Sequence, residues 1–202
     1  MKHVNEDRGP AILSRASPYY PIFKRRGILL APTIVLLVMW PWWVCEPRVW
    51  VWVVGLAVFA VGVALRIWAQ RHLKYRMRQG RWLSVTGPYA WTRNPVYIGN
   101  LLLLAGLCVL CRLPWLIPVV CGWAFLVYSL CIRFEEQRLA EAYGDEYPDY
   151  AMRVPRWWPR RPVGKPEPLT DIATWRRAVL VEWHSALMLL IPVFKELMRL
   201  YT

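Results

Sequence analysis

The sequence predicts an all-α integral membrane protein with four transmembrane helices, five if its C-terminal segment also crosses. Three observations lead there. Hydrophobic residues make up 57% of the 202, including 14 Trp, against 19% charged. Mean hydropathy is +0.25. The apolar residues are also gathered into blocks close to the roughly 20 residues that a helix needs to cross a hydrocarbon core about 30 Å thick. Such a balance is too apolar and too aromatic for an ordinary soluble domain.

The first block, Ile28 to Val44, carries no charge, follows Lys24, Arg25 and Arg26, and ends among Trp40, Trp42 and Trp43. Its basic lead mimics a secretory signal, but 27 residues precede it and no small-residue cleavage site follows Val44, so it reads as a span. The second block, Val49 to Ala69, has one charge, Arg66, near its far end. From Val96 to Ile132 the chain is apolar except for Arg112 beside Pro114, which predicts two helices joined by a tight turn.

Basic residues set the expected orientation. Six of the 26 Lys and Arg precede Gly27, six fall between Gln70 and Pro95, and eleven follow Ile132, while the other two connections hold only Arg48 and Arg112. The positive-inside rule then places the N-terminus, the 70–95 loop and the tail in the cytoplasm. The net charge of +13 flanks apolar spans rather than forming a soluble basic patch with stacking aromatics, which argues for lipid headgroups and against nucleic acid. The five cysteines lie in or beside the spans. Cys108 and Cys111 have C-x-x-C spacing, but neither a second pair nor a histidine cluster accompanies them, so no metal site is expected and they read as small packing residues.

Four segments follow: a cytoplasmic N-terminal stretch (1–27), a membrane core (28–158), a linker (159–170) with Pro159, Pro162, Pro166 and Pro168, and a C-terminal segment (171–202). In the last, an apolar middle is interrupted by Glu182, His184 and Pro192. Burying those polar groups in lipid is costly, which favours an interfacial or bundle-docked helix over a fifth span.

Two cytoplasmic stretches look unlike mere connections. In Val85 to Asn100, Gly87-Pro88 and Asn94-Pro95 are turn formers, and Pro95 suits the first turn of a helix, where its missing N–H is no loss. Arg93 and Asn94 are thereby held at a helix N-terminus, where free N–H groups, the helix dipole and a guanidinium fork suit an anionic group. An isolated Arg in this setting would more often snorkel to headgroups. In Arg133 to Pro159, Glu135 and Glu136 stand at the membrane boundary, where carboxylates need partners. Adjacent acids on a helix point about 100° apart, so one is free to face a ligand while the other pairs with Arg133 or Arg138. Gly144 is expected to end that helix, and Arg156 lies beside Trp157 and Trp158, which suit a membrane interface.

Together these stretches resemble the isoprenylcysteine carboxyl methyltransferase family and its relatives, the phospholipid N-methyltransferases. The resemblance lies in Gly87-Pro88-Tyr89, in Arg93-Asn94-Pro95-x-Tyr97-x-Gly99, in Glu135-Glu136-x-x-Leu139, in Tyr143-Gly144-x-Glu146-Tyr147-x-x-Tyr150 and in Val154-Pro155-Arg156, with Leu65-Arg66-x-Trp68-Ala69 upstream. It covers roughly residues 50 to 160. It implies a membrane enzyme that takes S-adenosylmethionine at the cytoplasmic face, in a site formed by the loop before the third span and the helix after the fourth, and a lipophilic or prenylated acceptor from the bilayer. By that resemblance Tyr89, Asn94, Pro95, Tyr97, Gly99, Glu135 and Glu136 are expected to hold the cofactor. Arg93, Arg156 and Trp157 are expected at the acceptor, and Arg93 and Glu136 are expected to be catalytic. Relatives often carry His where this chain has Asn94, which hydrogen-bonds but cannot shuttle a proton near neutral pH.

That substitution bears on the acceptor. A carboxylate needs no general base, whereas an ammonium must first lose a proton, and His3, His72 and His184 all lie outside the motifs. The sequence therefore leans to carboxyl methylation. Phospholipid amine N-methylation is the alternative, and a non-catalytic scaffold that binds anionic lipid or a protein partner is the alternative of another class. The sequence leaves the oligomeric state open.

Overall fold

The computed structural model describes residues 17–40, 49–78, 83–161 and 172–200, and all regular structure among them is helical. Most of the expected N-terminal segment, the 162–170 part of the expected linker, and Trp42, Trp43, Cys45 and Arg48 lie outside the described residues.

The first helix, α1 (Tyr20–Met39), starts eight residues before the uncharged block. Pro21 stands in its first turn, where it lacks no needed donor, and the following Lys24, Arg25 and Arg26 are exposed and continue the helix without cost. The second, α2 (Val49–Arg78), runs past the apolar block to its basic end. A 3-10 turn (Gly87–Ala90) precedes α3 (Pro95–Leu110), which has Pro95 in its first turn as the sequence requires. The expected tight turn is present: α3 ends ahead of Arg112, which takes a left-handed φ of 62°, and a 3-10 turn (Pro114–Leu116) leads into α4 (Ile117–Tyr143). Gly144 ends α4 with φ 56°, a conformation in which a side chain is strained. The short helices α5 (Glu146–Arg153), α6 (Ile172–Val181), α7 (Trp183–Met188) and α8 (Leu190–Leu200) follow.

Three stretches among the described residues are long and apolar enough to cross a membrane: Val49–Leu73, Pro114–Tyr143 and Ala178–Arg199. The apolar α3 is shorter, at about 24 Å for its 16 residues. This is an all-α membrane protein. Large apolar side chains stand on its outward faces, with Val53, Val61, Val119 and Leu126 all exposed, as expected where lipid rather than water surrounds the helices.

Helices α2 and α3 form the backbone of the bundle, because glycines let them touch. A Cβ on Gly106 would meet the Phe59 amide nitrogen at 2.8 Å, and one on Gly62 would meet the Gly99 carbonyl at 2.9 Å. Small residues at a helix crossing are how membrane helices gain close van der Waals contact when burial of apolar surface from lipid gives no driving force. Helix α4 packs on α3 and α1, and Leu104, Leu107 and Cys108 of α3 meet Val120, Ala124 and Val127 of α4 in the core. Cys108, Cys111 and Cys131 are buried. The C-terminal stretch is three short helices rather than one, and it docks α6 on α2.

Candidate functional site

The site begins with how two remote segments are stitched together at one end of the bundle. The backbone N–H of Arg93 donates to the Pro155 carbonyl at 2.9 Å, and that of Arg160 donates to the Trp91 carbonyl at 3.0 Å. Thr92 Oγ1 donates to the carbonyls of Arg156 and Trp157 at 3.2 and 3.3 Å, and Asn94 Nδ2 donates to the Arg156 carbonyl at 3.1 Å. The Tyr150 hydroxyl, from α5, donates to the Tyr89 carbonyl at 2.8 Å. The loop before α3 and the chain after α5 thus form one surface, although the sequence separates them by three helices.

On this surface one carboxylate is held by two arginines. Glu136 pairs with Arg93 Nη1 at 2.9 Å, while Arg156 grips it at two points, Nε to Oε1 at 3.0 Å and Nη2 to Oε2. The Glu136 and Arg93 side chains are 13% and 15% exposed, so the pair is largely shielded from solvent. Tyr147 shares a hydrogen bond with Arg93. The Arg93 Nε is buried with no hydrogen-bond partner among the described residues. An orphaned buried donor costs free energy, which a ligand acceptor would recover.

Glu135 faces a different way, as the helix geometry requires. It accepts from the Tyr97 hydroxyl at 2.9 Å, and Arg26 of α1 donates to the same hydroxyl at 3.3 Å and pairs with Glu135 at 3.6 Å. The partners expected from sequence, Arg133 and Arg138, are engaged elsewhere, lying over the rings of Tyr19 and Phe134 respectively. Among the described residues the two acids are therefore ion-paired with separate cations from distant elements, Arg26 for Glu135 and Arg93 with Arg156 for Glu136.

Electrostatics follow from this packing. Burial pushes the Tyr147 phenol up to about 12, with the Glu136 carboxylate adding to the effect and Arg93 opposing it. Burial likewise raises Tyr89, aided by the charge of Glu135, and raises Tyr150. The hydrogen bonds to Glu136 raise Arg156 above its ordinary value. All these groups are held in their protonated forms.

Of the residues expected from the motifs, Arg93, Asn94, Arg156, Trp157 and Glu136 share one contact network, and Tyr97 and Glu135 share a second. Tyr89 joins through its carbonyl. Pro95 is buried in the first turn of α3. Gly99 is turned toward α2, where a Cβ would meet Arg66 Cγ at 2.6 Å, so helix packing accounts for its size. Trp157 stacks obliquely on Phe125 with ring centres 4.6 Å apart.

Sequence reasoning missed three participants. Arg26 looked like one anchor in a basic triplet, and nothing local distinguishes it. Thr92 and Tyr147 lay inside the motifs but gave no sign of their partners. His72 is a fourth surprise: it is buried against Gly87, and its Nδ1–H donates to the Trp68 carbonyl at 3.0 Å, so it supports the motif turn from below.

The geometry thus joins the family-like motifs into one surface. Residues 50–146 match the phospholipid methyltransferase family. That is a family of integral membrane methyltransferases, and the match encompasses the loop before α3, Arg93, Glu135 and Glu136. Among curated proteins the chain is similar to a cobalt-zinc-cadmium resistance protein of Cupriavidus metallidurans, 32% identical over 119 residues, or 58% of this chain and 52% of that protein. It is also similar to a nickel-cobalt-cadmium resistance protein of Alcaligenes xylosoxydans xylosoxydans, 29% identical over 118 residues, covering 58% and 53%. The chain therefore spans about half the length of these curated relatives. No solved structure matches. Among the described residues no group of three or more His, Cys, Asp or Glu is placed to hold a metal ion.

Proposed function

We propose that the protein transfers a methyl group from S-adenosylmethionine to a lipophilic carboxylate at the cytoplasmic face of the membrane, as in isoprenylcysteine carboxyl methylation. The observation that carries this reading is Glu136 held between Arg93 and Arg156, with a buried Arg93 donor left over, on a scaffold matching a methyltransferase family.

The donor set fits the zwitterionic amino-acid end of that cofactor. Arg93 and Arg156 suit its carboxylate, and Glu135 and Glu136 suit its ammonium. Asn94, Tyr89 and Tyr97 supply neutral hydrogen-bonding groups beside them. When bound, the cofactor supplies an electrophilic methyl on a sulfonium. This chain's residues then position and shield the reactants. A carboxylate oxygen of the acceptor forms the new C–O bond as the C–S bond breaks, the bonding pair stays on sulfur, and no proton moves. That balance suits a site built from arginine, glutamate and protonated tyrosine. Acceptor entry from the bilayer is consistent with the exposed apolar faces of the helices.

The test is incubation of protein reconstituted in vesicles with isotopically labelled S-adenosylmethionine and a lipid extract, followed by mass spectrometry. A labelled base-labile methyl ester is the expected product. A label on a phospholipid amine would move the reading to N-methylation. Absence of saturable cofactor binding would leave only a scaffold that binds anionic lipid or a partner.

A further inference from the structure

The C-terminal segment carries a carboxylate into the apolar bundle. Glu182, with a side chain only 3% exposed, lies between α6 and α7 within the Ala178–Arg199 stretch. A carboxylate at that depth is expensive unless paired and hydrogen-bonded. It meets Arg66 of α2 at two points, Nε to Oε2 at 2.8 Å and Nη2 to Oε1 at 3.1 Å, while Ser185 Oγ donates to Oε2 at 2.8 Å. A guanidinium fork on a carboxylate is geometrically specific.

The receptor half of this contact is built into the rigid part of the fold. Arg66 Nη1 donates to Asn100 Oδ1 on α3, and the Arg66 stem lies on Gly99. Asn100 is hydrogen-bonded with Tyr128 of α4, whose ring packs on Tyr97 with centres 4.9 Å apart. Arg66 and Asn100 lie inside the stretch that matches the family, whereas Glu182 and Ser185 lie beyond it. The carboxylate half comes from a run of short helices with turns at Glu182 and Leu189. A preorganised two-point carboxylate receptor on packed helices is thus filled by a carboxylate from a separate element.

We propose that Arg66 and Asn100 form an intramembrane binding site for the carboxylate of a lipophilic acid, occupied in cis by Glu182, which the incoming acid displaces. Only the further step, that this acid is the methyl acceptor, rests on the function proposed above. From Pro95 to Asn100 the α3 axis rises about 7.5 Å, so a carboxylate on Arg66 sits one to two turns into the bundle from Arg93. Paired at both oxygens, it keeps a lone pair on each for reaction. Methylation removes the charge that Arg66 selects. A neutral ester no longer competes with Glu182, whose return favours release of product.

Mass action gives the test. In wild-type protein the in-cis carboxylate competes with any added acid. Glu182→Gln leaves Arg66 without a counter-charge, so equilibrium binding of labelled oleate to protein in phosphatidylcholine vesicles should tighten about tenfold, with oleyl alcohol unchanged. Arg66→Gln should abolish saturable oleate binding. S-Adenosylmethionine affinity, measured directly, should stay within about twofold in both variants, as expected for a site distinct from Arg93 and Glu136. Equal oleate affinity in wild-type and folded Glu182→Gln protein overturns the proposal. Should that variant not fold, Ser185→Ala, which removes only one hydrogen bond to Glu182, is expected to tighten oleate about threefold, and no change overturns the proposal in the same way. If oleate behaves as described but the wild-type protein binds no S-adenosylmethionine, the carboxylate site stands and the methyltransferase reading falls. Cofactor binding without the oleate response overturns the carboxylate site and leaves the methyltransferase reading in place.

Discussion

Arg93 reaches Glu136 at 2.9 Å, and through that contact the loop ahead of α3 is locked to the end of α4. Because Arg156 grips the same carboxylate from the far side, removing Glu136 leaves two guanidinium groups without a counter-charge. Breaking a buried pair on one side costs about 3–5 kcal/mol, and the partial exposure of Arg156, 37%, places Glu136→Ala nearer the lower figure. The expected outcome is a clear fall in thermal midpoint with loss of saturable S-adenosylmethionine binding. Glu136→Gln, which keeps hydrogen-bond acceptance, should restore part of the stability but not the binding. Full binding in Glu136→Ala would show that the arginine-held carboxylate has no part in cofactor recognition.

The second acid calls for a gentler test. Tyr97→Phe removes the hydroxyl that donates to Glu135 and accepts from Arg26, with little change in shape. The expected loss is about 1–2 kcal/mol of stability, typical of a hydrogen bond to a charged group. Cofactor affinity should fall while the oleate response described above is retained. Calorimetric titration with each ligand separates the two effects.

How much of this was legible in the residues depends on the range of the physics. The turn at Arg112 and Pro114, Pro95 in the first turn of α3 and Gly144 at the end of α4 are local matters of backbone conformation, and the residues announce them. The divergence of Glu135 and Glu136 follows from helix geometry alone. Their partners do not: Arg93 and Arg156 for one, Tyr97 and Arg26 for the other, come from distant elements that only tertiary packing brings close. Glu182 shows the same limit more sharply. Its charge argued against burial, and the burial is real because Arg66 of α2 supplies the compensation.

The α2–α3 crossing should tolerate no added bulk at Gly106. There a Cβ would sit 2.8 Å from the Phe59 amide nitrogen and 3.0 Å from the Gly55 carbonyl, both backbone atoms that cannot swing aside. Gly106→Val therefore forces the helices apart, and overpacking of this kind costs about 1–3 kcal/mol or more. Gly122, where an added Cβ would meet nothing within 4 Å, is the control: Gly122→Ala should be neutral or slightly stabilising. Thermal midpoints of the two variants in the same detergent check the contrast.

Arg112 sets two effects against each other. Its left-handed φ of 62° disfavours a side chain, so glycine would relieve about 1 kcal/mol of strain. Its side chain, however, is 9% exposed, and the guanidinium meets Glu196 of α8 at 2.5 Å. Losing that pair leaves Glu196, 29% exposed, with Arg199 alone at 2.8 Å, and the loss of the buried guanidinium's contact outweighs the relief, so Arg112→Gly should destabilise. Because Glu196→Gln alone also loosens Arg199, the Arg112→Gly, Glu196→Gln double variant should be less destabilised than the sum of the two single variants. Strict additivity of the two single variants would mean that the pair contributes nothing at this end of the bundle.

Alkaline pH should loosen the surface around Glu136 through its tyrosines. Tyr147 is raised to about 12 by burial, and Tyr89 and Tyr150 are raised in the same direction. A folded-state value above that of the unfolded chain means that folding favours the protonated phenol. The resulting stability is fully present below about pH 10, the unfolded value, and is lost as pH rises toward the folded values. Thermal midpoints should accordingly hold steady from pH 7 to about 9.5 and fall beyond about 10. Tyr147→Phe lacks one of these groups, so its alkaline decline should be shallower than wild type even though it starts lower for want of the Arg93 hydrogen bond. Parallel declines in the two proteins would place the alkaline sensitivity elsewhere in the fold.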